Sequence, residues 1–453
     1  MEEALDEQRL GRFFGNRFLL AGLAIPLFLH TVNGLNFYFP EVPQIPTLIL
    51  AGPYFPQVGL FSGFHKMKIH LYPAFVGFAF LTSRQISFSF WFFFTAGGLL
   101  MGLLSVLGYN IPEAALGVTF GPTLTRPEET QMIGAYGVFF LFILWLSRYH
   151  LRDVFRQATG RGKPPEPVTE WFSARIALWG GIAGFLGILL WCRIFGMPLL
   201  VSALMMGACF MILLVASRVI CQGGIAYFTL TMAPIDGLLT LLGPKFFTQV
   251  GLLGSAVIQK VLFVDLREAL MPSLVHAGSL TQRTGNRRAV FGAMLVTVLL
   301  AVVVSFVAML ALCYKFGARE LQLDWAIQTT TTVYDNVQRL IQTPAPRSDW
   351  VMIFSAAGAA VMLVLVVCYH RFYWWPIHPI GYLTTYSSAM RILWISFFFG
   401  WLANTLCIRY GGVVLFKQLR YFFIGLIIGD FLMGGIWAAI GLFGEASYQV
   451  LPH

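Results

Sequence analysis

Residues Arg218–Arg288 read RVICQGGIAYFTLTMAPIDGLLTLLGPKFFTQVGLLGSAVIQKVLFVDLREALMPSLVHAGSLTQRTGNRR. The chain on either side is almost continuously apolar. Here, hydrophobic pieces too short or too broken for ordinary spans alternate with Gly, Pro and charge. Backbone that leaves the helix at membrane depth persists only where protein buries it or a wet cavity lines it. Interrupted segments of this kind are the best sequence pointer to a transport site. The stretch divides into a Gly-marked break at Gln222-Gly223-Gly224, a Pro-Asp-Gly turn around Asp236, and a charged boundary at Asp265-Leu266-Arg267-Glu268.

Composition sets the class. The 453 residues are 58% hydrophobic and 11% charged, with a mean hydropathy of +0.74. A soluble domain carries about 25% charge. Repeated apolar runs of spanning length predict an all-α polytopic integral membrane protein. About ten to twelve transmembrane helices are expected, with a broken or re-entrant pair near 219–262. The net charge of +10 does not point to nucleic acid, because Lys and Arg sit mostly at the ends of apolar runs. The partner implied first is the lipid bilayer. The six cysteines lie in or beside apolar runs without C-x-x-C spacing, so free buried thiols are expected. No P-loop, G-x-S-x-G, H-E-x-x-H or dinucleotide fingerprint is present. The expectation is therefore no enzyme, no metal site and no cofactor.

Along the chain, a polar lead-in covers 1–16 and a first transmembrane bundle covers 17–147. A basic loop at 148–175 follows, then a second bundle over 176–443 containing the broken region 218–288, then a tail over 444–453. The acidic start, followed by an apolar run without a small-residue cleavage site, is not a signal peptide. The loop sets Arg148, Arg152, Arg156, Arg161, Lys163 and Arg175 against Asp153, Glu166 and Glu170. The positive-inside rule places it in the cytoplasm. Alternate threading then puts the N-terminus in the cytoplasm too, provided the short apolar piece at 70–82 spans. The prolines of PEVPQIPTLILAGPYFP forbid a long helix between that piece and the first span.

Asp236 lies between Pro234 and Gly237 in an apolar setting. A carboxylate there is costly unless paired or wet. The expectation is a re-entrant tip or helix break with a polar contact at the membrane midplane; an exposed turn between two short arms stands beside it. Gln222 marks the neighbouring break. Asp265 and Glu268 share a helical face and, with Arg267, form either a gate at the cytoplasmic mouth of a pathway or a simple membrane boundary. Ser87 and Ser89 sit at a polar entry to an aromatic span, where a helix start offers cap-type donors. His30, Asn33 and Asn36 share a spacing that gives the first span a polar face, or that brings it to the headgroups. Asp430, flanked by glycines in the last span, is a candidate proton carrier. His378, between two prolines, is a poor metal ligand by spacing, and Asn404 is a further polar residue in a late span.

The ordered motifs HTVNGLNFYFPEVPQIP, SFSFWFFF, VDLREALMPSL, WWPIHPIGY, RYGG and GLIIGDFLMGGIW run over nearly all the chain. Together they resemble a bacterial membrane family of the domain-of-unknown-function type. That family is distantly similar to the oligopeptide transporter and yellow stripe-like superfamily of proton-coupled importers of peptides or metal chelates. The distant link rests on the charged DLRE-type segment and the Gly-rich last helix. Members are longer, and this chain is similar to their C-terminal two-thirds. The resemblance implies a multi-pass protein of the bacterial inner membrane, completed by a second copy or by other membrane proteins.

The function expected is that of a secondary-transporter-like protein. Its solute is small and polar, peptide-like or a metal chelate, and proton coupling is an option. A structural or assembly subunit of a larger membrane complex is the second reading. A membrane enzyme acting on a lipid-linked substrate is disfavoured, because no loop clusters catalytic carboxylates or histidines.

Overall fold

The computed structural model describes residues 10–65, 67–109, 127–161, 173–225, 231, 233–263, 269–284, 287–317, 324–344, 349–443 and 447–450. It is an all-α polytopic membrane protein. The helices are α1 (Leu10–Phe14), α2 (Arg17–Tyr38), α3 (Pro73–Leu81), α4 (Arg84–Val106), α5 (Gln131–Ala158), α6 (Ala174–Ile194), α7 (Leu199–Gly223) and α8 (Pro234–Leu242). They continue with α9 (Gln249–Phe263), α10 (Leu270–Thr284), α11 (Arg287–Phe316), α12 (Asp324–Gln342), α13 (Asp349–Arg371), α14 (Pro379–Leu383), α15 (Ser388–Leu406) and α16 (Gly412–Gly441). Two three-residue strands, β1 (Leu48–Leu50) and β2 (Lys68–His70), pair antiparallel with Ile49 opposite Ile69. The sequence reading did not anticipate them. All six cysteines are free.

Among the described residues, eight helical stretches are long and apolar enough to cross a membrane. The last, Ser388–Gly441, has 54 residues. At about 1.5 Å per residue it would reach ~80 Å, far beyond one hydrocarbon core of ~30 Å. A π turn at Cys407–Gly411 and the positive φ of Gly412 divide it into α15 and α16. The count of ten to twelve rested on short pieces as well as full spans. Those pieces are α3 and the pair α8 and α9, which together form the broken region. Gly224, with φ of 61°, ends α7 at the break the sequence marked.

The chain divides into two compact units that cut across the linear bundles. One comprises 1–111, 222–231 and 362–453, and the other 112–221 and 232–361.

In the first unit, α2 and α16 pack in close contact. A side chain at Gly22 would strike the Phe422 backbone, one at Gly425 the Leu19 carbonyl, and one at Gly429 the Pro26 ring. The contact pairs rise together in number, so the two helices run parallel. Small residues allow this approach where lipid supplies no hydrophobic drive. Helix α3 lies beside both α15 and α16. Tyr72 meets Ser396, Val76 and Ala79 meet Gly400, and Phe80 meets Asn404, so α3 runs parallel to α15. Ala74 meets Asp430 while Phe80 stacks on Phe423 at 3.8 Å, so α3 runs antiparallel to α16. Helices α15 and α16 are therefore two opposed passes.

With nine residues, α3 is ~14 Å long, about half a hydrocarbon core. It does not supply the full pass that the threading asked of 70–82. It begins level with the middle of α16, and the stretch 39–72, whose described residues hold β1, β2 and two three-residue 3-10 turns, leads into it. Within that stretch, Trp394 Nε1 on α15 donates to the Lys68 carbonyl at 2.9 Å.

In the second unit, α5 packs on the first half of α13 through Gly134 and Gly358, where added side chains would meet Ser355 and Gln131 backbone. Thr130 Oγ1 donates to the Val351 carbonyl and Ser355 Oγ to the Thr130 carbonyl, both at 3.2 Å. Helix α5 continues through Ala158, so the start of the expected 148–175 loop is helical.

Candidate functional site

The first unit buries an ionisable pair. Asp430, fully buried near the middle of α16, places Oδ1 2.9 Å from Nε2 of His30, itself buried on α2. Its other oxygen, Oδ2, accepts from the backbone N–H of Ala74 at 2.6 Å. That N–H is available because of local sequence. Pro73 occupies the first position of α3 and brings no N–H, so Ala74 offers the helix's first free donor. Asp430 thus caps α3 from a different helix, at the positive end of the α3 dipole. A carboxylate in a membrane span requires such pairing.

The other face of His30 is also engaged. Its Nδ1 lies 3.2 Å from the Tyr448 hydroxyl, and its carbonyl accepts from Trp437 Nε1 at 3.0 Å. Tyr448 belongs to the segment following α16, which folds back so that Ser447 Oγ donates to the Trp437 carbonyl at 3.2 Å. Burial pushes the Tyr448 phenol up, the Asn33 hydrogen bond opposes that, and the Asp430 charge adds to it. A phenol that keeps its proton donates to Nδ1. The Nε2 proton is then directed at Asp430, and the network assigns the tautomer.

Asn33 touches this cluster at the Tyr448 hydroxyl, whereas Asn36 does not extend it. Asn33 exchanges two hydrogen bonds with the Ile45 backbone, at 2.8 and 3.0 Å, and Asn36 Nδ2 donates to the Val42 carbonyl at 2.5 Å. They tie the chain after α2 back onto the helix.

Ser87 and Ser89 are buried inside α4 instead of standing at its start, which is preceded by Ser83. The Ser87 hydroxyl donates to the Ala79 carbonyl at 2.7 Å and so satisfies the C-terminal end of α3. Ser89 Oγ donates to Gln85 O at 2.6 Å and accepts from the His378 N–H at 2.7 Å. Gln222 joins this second cluster, with Nε2 3.1 Å from His378 Nε2. His378 Nδ1 accepts from the Ile380 N–H at 3.2 Å and caps α14. An acceptor Nδ1 leaves the proton on Nε2, so the Gln222 amide must turn its oxygen toward it. His378 is a helix cap, for which the signal was present: a polar residue directly before a proline that opens a helix. Asn404 Nδ2 donates to the Phe80 carbonyl at 2.6 Å, again closing the end of α3.

Asp236 belongs to the second unit. It lies in the first turn of α8 and is fully buried, so the exposed-turn alternative does not hold. Gln259 on α9 serves both α8 and the carboxylate. Its Oε1 accepts from the Ile235 N–H at 2.6 Å, and its Nε2 stands 3.4 Å from Asp236 Oδ2. Asp265, Arg267 and Glu268 lie outside the described residues. Among the described residues, no group of three His, Cys, Asp or Glu side chains is placed to hold a metal ion.

A family model matches residues 1–452. The chain belongs to DUF6785, a family of unknown function. No curated protein and no solved structure matches it. Within this DUF6785 chain, the sequence reading singled out Asp430 but did not join it to His30, and it missed Ala74, Tyr448 and Gln259. A backbone donor and partners between 23 and 418 positions away leave no local signal.

Proposed function

We propose that this DUF6785 protein is a secondary-transporter-like protein in which Asp430 carries the coupling proton and His30 is its exchange partner. The single observation behind this reading is a buried carboxylate, mid-helix, held by a titratable ring and by the start of the short helix α3. Helix ends at a broken segment are where transporters set charge against solute or ion. Protonating Asp430 weakens its hold on Ala74 and frees that donor. Proton loading is thereby tied to the position of α3. The solute is small and polar, peptide-like or a metal chelate, as the resemblance to oligopeptide transporters implies. Asp236 supplies a polar contact of its own, and Asp265, Arg267 and Glu268 form the cytoplasmic gate. The setting is the bacterial inner membrane, and self-association or association with other membrane proteins belongs to the same reading. No enzymatic step is part of it.

The test is proton uptake into vesicles that contain the purified chain and a pH-sensitive dye, with pools of peptides and metal chelates outside. Solute-dependent acidification that Asp430→Asn abolishes is expected. Acidification of equal size in that variant sinks the assignment.

A subunit role is the second reading, and α11 favours it. The span at Ala289–Lys315 has no buried share in its apolar window, so every side is open to lipid or to another chain. Co-purification in mild detergent at fixed stoichiometry with other membrane proteins is its test.

A further inference from the structure

Helix α5 has 28 residues, from Gln131 to Ala158. At about 1.5 Å per residue it is ~42 Å long, beyond a hydrocarbon core of ~30 Å. Its continuous apolar run ends at Leu146, and the remaining twelve residues carry the helix ~18 Å outward from that apolar end. With about 100° of turn per residue, Trp145, Arg148, Tyr149, Arg152 and Arg156 fall within one arc of ~100°. All five are exposed, while Ala158 on another side is buried.

The stripe is organised. The Arg148 guanidinium lies 4.2 Å from the Trp145 ring centre and 4.3 Å from that of Tyr149. It also donates to the Trp145 carbonyl at 2.6 Å. Among the described residues, none of Arg148, Arg152 and Arg156 is in an ion pair. Arg175, at the start of α6, reaches Gly160 just beyond the end of α5, so a further positive charge stands at the same end. Asp153 is the one acidic residue in this part of α5, and it lies about 40° outside the arc on the Tyr149 side.

We infer that this stripe binds the headgroups of anionic phospholipids. The occupant follows from continuity and charge. The same side of α5 carries the exposed Leu141 and Trp145, a lipid-facing surface that passes directly into the arginine row. Interfacial Trp and Tyr mark headgroup depth, and guanidinium forks match phosphodiester oxygens. Three aligned arginines without acidic partners favour anionic over neutral lipid. The inference stands independently of proton transport.

The test uses the full chain in vesicles of phosphatidylcholine alone, or with phosphatidylglycerol or cardiolipin added. Thermal stability and lipid retained in native mass spectrometry are the readouts. The wild type should retain anionic lipid and melt higher in the anionic vesicles. In the R148Q/R152Q/R156Q variant, affinity for the anionic lipid should fall at least about tenfold, since each arginine near a charged surface contributes several-fold. Equal melting of both proteins in phosphatidylcholine shows that the variant folds. A smaller fall overturns the inference. So does inorganic phosphate in neutral vesicles stabilising the wild type as much as anionic lipid does, because that marks a free-anion site.

Discussion

Asp430 and Asp236 are both fully buried carboxylates near the start of a short helix, yet their neighbours differ in kind. Asp430 faces His30, a ring that can itself take up a proton, and caps α3 from another helix. Asp236 sits inside the first turn of its own helix, and Gln259, one side chain that reaches it, has no proton to exchange. One arrangement joins two titratable side chains, whereas in the other an amide bonds both the carboxylate and a helix-start N–H. Burial of a carboxylate by itself therefore does not nominate a proton site; the titratability of its partner does.

The sharpest way to break this contrast is truncation. Asp430→Ala leaves the His30 ring and the Ala74 N–H buried without their acceptor. Two buried donors then lose one carboxylate, at a cost of about 1–3 kcal/mol each. Asp236→Ala removes the acceptor of a neutral amide, for which about 1–3 kcal/mol is expected. Thermal unfolding in detergent ranks the two, and an equal loss at both positions removes the distinction. A gentler probe leaves both aspartates in place. Gly425→Leu puts a side chain where the Leu19 carbonyl of α2 already lies. Overpacking of this kind costs about 1–3 kcal/mol and pushes α2 away from α16. If the His30–Asp430 pair depends on that approach, proton uptake should fall along with stability. Full uptake with lowered stability would show that the pair does not depend on the helix spacing.

The contrast also explains what the sequence made legible. Composition and apolar run length carried the fold class, because spans are written in consecutive residues. The break at Gly223-Gly224 was readable because glycine admits the left-handed backbone found there. Pro234 stands at the first position of α8, a helix start where the sequence pattern predicts a re-entrant tip or a helix break. The end of α5 was misplaced by about three turns, because arginines that look like a loop in sequence continue the helix as a polar stripe. The half-length of α3 and its strand-paired approach depend on contacts with α4, α15 and α16. The Asp430 partners come from α2, α3 and the segment after α16. Such groupings are a property of packing, and no local pattern encodes them.

The smallest expected effect refines the Asp430 side of the comparison. Tyr448→Phe keeps the ring against Trp437 but removes the hydroxyl from His30 Nδ1. A single hydrogen bond is worth about 1 kcal/mol, so a small loss of stability at neutral pH is expected. The pH dependence carries more information. Burial, with the Asp430 charge adding a smaller part, raises the phenol above its ordinary value of 10.0. Above that value the folded protein holds the proton more tightly than the unfolded chain, so stability falls as pH rises. The wild-type advantage over the Phe variant should therefore be complete below pH 10.0 and shrink as pH climbs toward the folded value. Unfolding measured across that window in both proteins isolates the effect, because all other tyrosines cancel in the difference. A constant difference would mean that the hydroxyl is not buried against the pair, and the tautomer of His30 would then be set by Asp430 alone.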